Sequence, residues 1–216
     1  CPVLRGLWGF NSLRGHKAMK SYVKNHFRKV DPILYRVVEQ VKYLEEIVPR
    51  KPKDYFRSLC REIISQQLAT GAANAIHKRF LSLFPTGRPS AKLLTFLSET
   101  ELREVGMSWA KARYIRDMAH RLNTKEVKLS SLPKLSDEDV IAELTKIRGV
   151  GRWTAEMFLI FSLGRQDVFS FGDLGLRRAI QKLYGMSSFS MEKAIPIVSS
   201  WSPYKSFASR ILWKAL

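Results

Sequence analysis

One carboxylate and one glycine turn carry most of the chemical potential of this chain. Asp173 follows Val168-Phe169-Ser170-Phe171-Gly172 and precedes the helical pattern Leu174-Gly175-Leu176-Arg177-Arg178. A carboxylate at a helix N-terminus stays ionised, because the macrodipole and the unpaired N–H groups favour negative charge. Such a residue is an ordinary N-cap. It is also an acid able to stabilise positive charge building on a sugar carbon, or to orient the water that completes a hydrolysis. Upstream, Gly149-Val150-Gly151 separates a helical pattern ending in Leu144 and Ile147 from one beginning with Thr154, Ala155, Met157 and Phe158. Two glycines permit positive φ and close backbone approach. The second opens a helix whose first N–H groups, with Thr154 nearby, can bind a phosphate, while Val150 packs inward. The carbonyls of Thr145, Ile147 and Val150 form a candidate site for a monovalent cation bridging to that phosphate. A plain turn with a glycine helix cap is the alternative for the triplet taken alone.

The charge balance points the same way. Lys and Arg number 37 against 19 Asp and Glu, a formal net charge of +18 and a pI near 10.2. This favours a polyanionic partner, nucleic acid ahead of an acidic membrane surface, over a merely solvated basic face. Two cysteines, Cys1 and Cys60, supply no zinc or iron–sulfur spacing, and their scarcity suits a reducing intracellular compartment. No run is apolar and long enough to span a membrane, and the N-terminus has no secretory core.

The elements that position these residues read as helices throughout, with no sustained strand alternation. Residues 1–30 carry seven basic side chains and no acid, and are expected to be an arm or solvated tail. Asp31-Pro32 starts a helix as N-cap and N1, with Ile33, Leu34, Val37, Val38, Val41 and Leu44 on its face, ending at Pro49 and Pro52. Tyr55 to Ala69 is the next helix, with Cys60 in its core stripe. Ala72 to Phe84 follows, carrying the lone His77, which such spacing makes a surface or core histidine. Short helices fall at Ala91–Leu97 and Thr100–Val105. Ser108 caps Trp109 to Leu122, whose Lys111, Arg113 and Arg116 share an outer face. Ser136-Asp137-Glu138-Asp139 begins the helix entering the glycine turn. Beyond Asp173 come Leu174 to Tyr184, Glu192 to Ser199, and a last helix from Tyr204.

The string Leu144-x-x-Ile147-x-Gly149-Val150-Gly151-x-x-Thr154-Ala155, followed by Asp173, resembles the helix-hairpin-helix superfamily of base-excision DNA glycosylases. Ile63-Ile64-Ser65-Gln66-Gln67-Leu68-Ala69-Thr70-Gly71-Ala72-Ala73 resembles the wedge segment of its alkylation-repair members. The resemblance covers about Lys29 to the C-terminus. It implies an all-α, two-lobed bundle over 31–216 with a cleft between lobes, the two chain ends packing in one lobe. It implies that Asp173 is catalytic, that Leu68 with Gln67 fills the gap left by a flipped base, and that Gly149, Val150, Gly151 and Thr154 hold phosphate. Members that also cut the strand place a lysine second after the glycine turn. Here that place is Trp153, which cannot form a Schiff base, so a monofunctional enzyme is expected. Trp153, Met157 and Trp213 then line a pocket for N-alkylated purines, whose positive charge suits aromatic faces. The implied partner is double-stranded DNA with damaged bases, met by a monomer in a prokaryotic cytoplasm or a nucleus, with no membrane role and no cofactor beyond the hairpin cation. Where the family often has an acid before the aspartate, this chain has Gly172. That leaves standing a non-catalytic binder of damaged DNA, beside a glycosylase for hypoxanthine or an oxidised purine.

Overall fold

A computed structural model describes residues 19–41, 44 and 46–215. The described residues are helical or irregular, with no strand among them, and none of their helices is long and apolar enough to cross a membrane. The chain divides into two compact units. One runs from Arg50 to Leu163. The other combines the segment ending at Pro49 with that from Gly164 onward.

The second of these units holds α1 (Ser21–Val30), α2 (Pro32–Gln40), α10 (Leu174–Leu183), α11 (Met191–Ser200) and α12 (Lys205–Ala215). The expected arm is therefore corrected for residues 21–30, which form a helix; residues 1–18 lie outside the described ones. The apolar pair Val23 and Phe27, one turn apart among basic neighbours, is fully buried and is enough to dock α1. Asp31 caps α2 as expected, its Oδ1 accepting from the Leu34 N–H at 2.9 Å with Pro32 at the first helical position. The helix stops at Gln40, well short of Pro49. Leu44 is still buried but lies outside any helix, and its carbonyl accepts from the Met19 N–H at 3.0 Å. The other carboxylate oxygen of Asp31 accepts from Trp201 Nε1 at 2.7 Å and from the Tyr184 hydroxyl, tying residue 31 to α10 and the end of α11. Burial, then this bond, pushes the Tyr184 hydroxyl far above its ordinary value. At the centre is α12, buried without interruption from Ser206 to Trp213 and packed against α2 and α10. A helix covered on all sides is an interior helix, which is why its sequence lacks a clean polar face.

The other unit holds α3 (Tyr55–Ser65), α4 (Thr70–Ser82), α5 (Ala91–Leu94), α6 (Glu99–Glu104), α7 (Trp109–Asn123), α8 (Asp137–Thr145) and α9 (Arg152–Phe161). Serine caps set most of the starts. Ser98 with Glu101 makes a full capping box for α6, Ser108 caps α7, and Ser136 caps α8 beside three acids that suit the dipole. The interior helix here is α9, buried from Thr154 to Ile160 and packed on α8 and α3. Cys60 and His77 lie inside this unit. Burial pushes the Cys60 thiol up and pulls His77 down to about 4.

Candidate active site

The glycine turn joins α8 to α9, and its two glycines do different work. Gly149 sits at φ +81, and a Cβ there would stand 2.2 Å from Cδ2 of Tyr114. Glycine is required twice over, by the left-handed backbone and by the ring on α7. Gly151, the N-cap of α9, has φ −91, and a Cβ there would meet nothing within 4 Å. Positive φ thus belongs to the first glycine alone. Val150 packs inward at 4 % exposure, and its N–H donates to the Ile147 carbonyl at 3.0 Å. That carbonyl keeps a second lone pair, so it fits a cation ligand alongside the turn bond. The Arg148 N–H donates to Asp117 Oδ2 at 2.8 Å, and the Gly149 carbonyl accepts from Gln66 Nε2 at 2.9 Å. Both the exposed edge and the interior follow from this geometry. Arg148, Gly151 and Arg152 face outward, whereas Thr154 is buried, so its side chain is inside the fold and not on the exposed edge of the turn.

Arg152 opens α9 with its guanidinium held by acids. It makes a two-point pair with Glu138 and a bond from Nε to Glu156 at 3.0 Å. The hydrogen bond from Arg152 keeps Glu138 below the usual carboxylate range. Trp153, half-buried, stands next in α9. Met157, one turn on, is fully buried. It is a core residue and does not form an accessible pocket wall, because the helical turn that aligns it with Trp153 also carries it inward.

The wedge string also departs from its expected form. Helix α3 ends at Ser65, four residues before Ala69. Gln67 then takes φ +56, a left-handed conformation costly for a side chain with a Cβ. Gln67 is exposed and Leu68 half-buried. The basic outer face expected on α7 is reduced to Arg113. Lys111 Nζ donates to the carbonyls of Ile64 and Gln66 at 2.8 and 2.6 Å, and the Arg116 guanidinium donates to the Leu97 carbonyl.

Asp173 lies in the unit formed by the two chain ends, at the N-cap of α10. It is 5 % exposed. Its Oδ1 accepts from the Leu176 N–H at 2.8 Å and from Trp213 Nε1 at 3.1 Å. Trp213, expected only as a pocket aromatic, is thus a donor to the carboxylate, 40 residues away in sequence. Gly175 makes room for the pair. A Cβ there would stand 3.0 Å from Asp173 Oδ1 and 3.6 Å from Trp213 Cδ1. Gly172 is exposed, and a Cβ on it would meet nothing within 4 Å. Tyr114, Asp117 and Gly175 went unrecognised in the sequence, while Gln66 was read only as part of the wedge string and Lys111 only as an outer cation. Adjacent glutamines at a helix end and a second glycine just inside α10 were the available signals.

Comparison with known proteins fits this geometry. The family model for HhH-GPD superfamily base excision DNA repair proteins matches residues 60–202. The Bacillus subtilis protein YfjP is 32 % identical over 168 residues, and the chain spans 58 % of its length. A crystal structure of a DNA-3-methyladenine glycosidase from Bacillus halodurans is 35 % identical, with a TM-score of 0.79 over 93 % of this chain and 92 % of that one. The Schizosaccharomyces pombe 3-methyladenine DNA glycosylase Mag1, solved in complex with abasic DNA, is 30 % identical with a TM-score of 0.74, covering 90 % of this chain and 96 % of that one. Matched over most of its length by that family model and by relatives of this identity and coverage, the chain belongs to the HhH-GPD superfamily of base excision DNA repair proteins.

Proposed function

We propose that this protein releases N-alkylated purines, of the 3-methyladenine and 7-methylguanine kind, from double-stranded DNA by hydrolysing the N-glycosidic bond and leaving an abasic site. The observation that carries the reading is the state of Asp173. It is a buried carboxylate with one oxygen fixed by a helix N-terminal N–H and by the Trp213 indole. As the C1′–N bond breaks, its electron pair leaves with the base and the sugar becomes oxocarbenium-like. A preoriented carboxylate stabilises that charge and accepts the proton of the attacking water. A cationic alkylpurine departs neutral without prior protonation, so no separate general acid is needed. Trp153 offers a ring face to such a cation and no amine for a Schiff base, which favours hydrolysis without strand cleavage.

The hairpin's exposed edge at Gly151 binds backbone phosphate, with the carbonyls of Thr145, Ile147 and Val150 available to a monovalent cation. Leu68, with Gln67, enters the base stack. The net charge of +18 supplies a salt-sensitive affinity for DNA. The protein acts as a monomer where genomic DNA lies, in a prokaryotic cytoplasm or a nucleus. A non-catalytic binder of damaged DNA was raised by Gly172, yet the Leu176 N–H and the Trp213 indole both donate to Asp173 Oδ1.

The test is base release from alkylated DNA. Wild type should release 7-methylguanine, and Asp173→Asn should lose release by at least about 100-fold while retaining duplex affinity. Release by the Asn variant at the wild-type rate refutes the role of Asp173. Binding without release by the wild type favours the binder. A panel of single-lesion duplexes with hypoxanthine and oxidised purines separates the lesion classes.

A further inference from the structure

Groups with no part in the bond-breaking chemistry hold the segment after α3. Gln66 leaves the helix at φ −51, ψ 129, and its side chain reaches the glycine turn, Nε2 donating to the Gly149 carbonyl at 2.9 Å. From α7, the Lys111 ammonium donates to Ile64 O at 2.8 Å and Gln66 O at 2.6 Å. Carbonyls at a helix C-terminus lack intrahelical partners, and a cation there meets both their lone pairs and the negative end of the dipole. The next residue, Gln67, is one of two described non-glycine residues at positive φ. Such a conformation persists only where its surroundings over-determine it. Here the flanking contacts do so: Lys111 on the carbonyl before it, and the Leu68 N–H donating to Ser65 O at 3.2 Å after it.

The same helix face fixes the turn. Tyr114 lies against Gly149, and Asp117 accepts from the Arg148 N–H. Lys111, Tyr114 and Asp117 recur every three residues, one stripe of α7, and all three are half-buried. One rigid helix therefore carries both loops, with Gln66 as a direct link between them.

We propose that Lys111 and Gln66 are positioning residues for base eversion: the face of α7 sets the segment bearing Gln67 and Leu68 at a fixed offset from the phosphate-binding turn, so that gripping the backbone delivers Leu68 to the base stack. The inference rests on the glycosylase reading for its purpose, but its geometry is independent of Asp173. Lys111 spends its charge on backbone carbonyls and not on DNA phosphate. That separates this role from the electrostatic one its residue type suggests.

The probe is a duplex carrying a tetrahydrofuran abasic analogue beside 2-aminopurine, whose fluorescence rises when a wedge unstacks it. Wild type should raise the signal. Lys111→Met should lower the fraction inserted, and the single-turnover release of 7-methylguanine, by roughly tenfold or more, with the salt dependence of duplex affinity unchanged. Lys111→Arg, which restores donors to the two carbonyls, should recover most of both. Gln66→Met should lower insertion by about three- to tenfold and guards against a Lys111 variant that fails to fold. Wild-type insertion in both Met variants overturns the proposal. So does a salt slope that falls by about one in Lys111→Met with insertion intact, since Lys111 would then be a phosphate contact. Insertion needs no bond cleavage. A wild type that inserts but releases no base removes the glycosylase reading and leaves this one standing, whereas a wild type that never inserts removes this one.

Discussion

Replacing each hairpin glycine by alanine should separate backbone geometry from DNA contact. At Gly149 the cost has two parts. An L-residue in the left-handed region costs about 1–2 kcal/mol, and the observed φ is +81. The new Cβ would lie 2.2, 2.5 and 2.6 Å from three atoms of the Tyr114 ring, whereas carbon atoms rest about 3.5–4.0 Å apart. The ring must retreat by more than about 1 Å, and it is mounted on α7, so the overpacking cost falls near the usual range of about 1–3 kcal/mol. Gly149→Ala should therefore destabilise by about 2–5 kcal/mol, a large share of the about 5–15 kcal/mol typical of a folded protein. Gly151→Ala meets open space at ordinary φ and should cost about 1 kcal/mol or less. Its methyl group would stand on the edge proposed to bind phosphate, so duplex affinity should fall at physiological salt. Urea unfolding of wild type and both variants, read as midpoint shifts at constant slope, gives the stabilities, and titration of a duplex gives the affinities. The reasoning fails if Gly149→Ala unfolds within about 0.5 kcal/mol of wild type, or if the two variants lose equal stability.

Other outcomes follow from single contacts. Trp213→Phe deletes the indole N–H that reaches Asp173 Oδ1 at 3.1 Å while keeping the buried ring. Single-turnover release should fall roughly ten- to 100-fold with KM little changed, as expected for a lost charge-assisted hydrogen bond; an unaltered rate would show that the indole N–H does not orient the carboxylate. His77 is held down to about 4 by burial, and next by the Arg61 and Arg57 charges, against about 6.5 unfolded. The unfolded chain binds the extra proton between those values, so stability falls as pH drops from about 6.5 to about 4, by up to about 3 kcal/mol. His77→Leu should flatten that part of the stability–pH curve, and equal acid slopes in variant and wild type would contradict it.

The sequence by itself determined the parts written in local chemistry. Helix starts at Asp31, Ser108 and Ser136 were readable because a cap residue acts on N–H groups two or three positions away. The glycine turn and the aspartate after it were readable for the same reason, as short strings with a fixed physical role. Val150 packs inward as its apolar type implied. What acts across distance was decided by tertiary structure alone. Lys111 has the composition of a surface cation, and only packing aims it at the end of α3. Trp213 reads as a ring, and only the approach of α12 to α10, with Gly175 small enough to allow it, makes it a donor to Asp173. Met157 was placed on a functional face because helical spacing aligns it with Trp153, and Thr154 because it follows the glycine turn; both are buried. Helical spacing does not fix which side faces the core when α9 is enclosed all round. Residues 21–30 show the same limit from the other side. A stripe of two apolar residues is too narrow to announce a helix, yet two fully buried side chains suffice to hold one once there is a core to receive them.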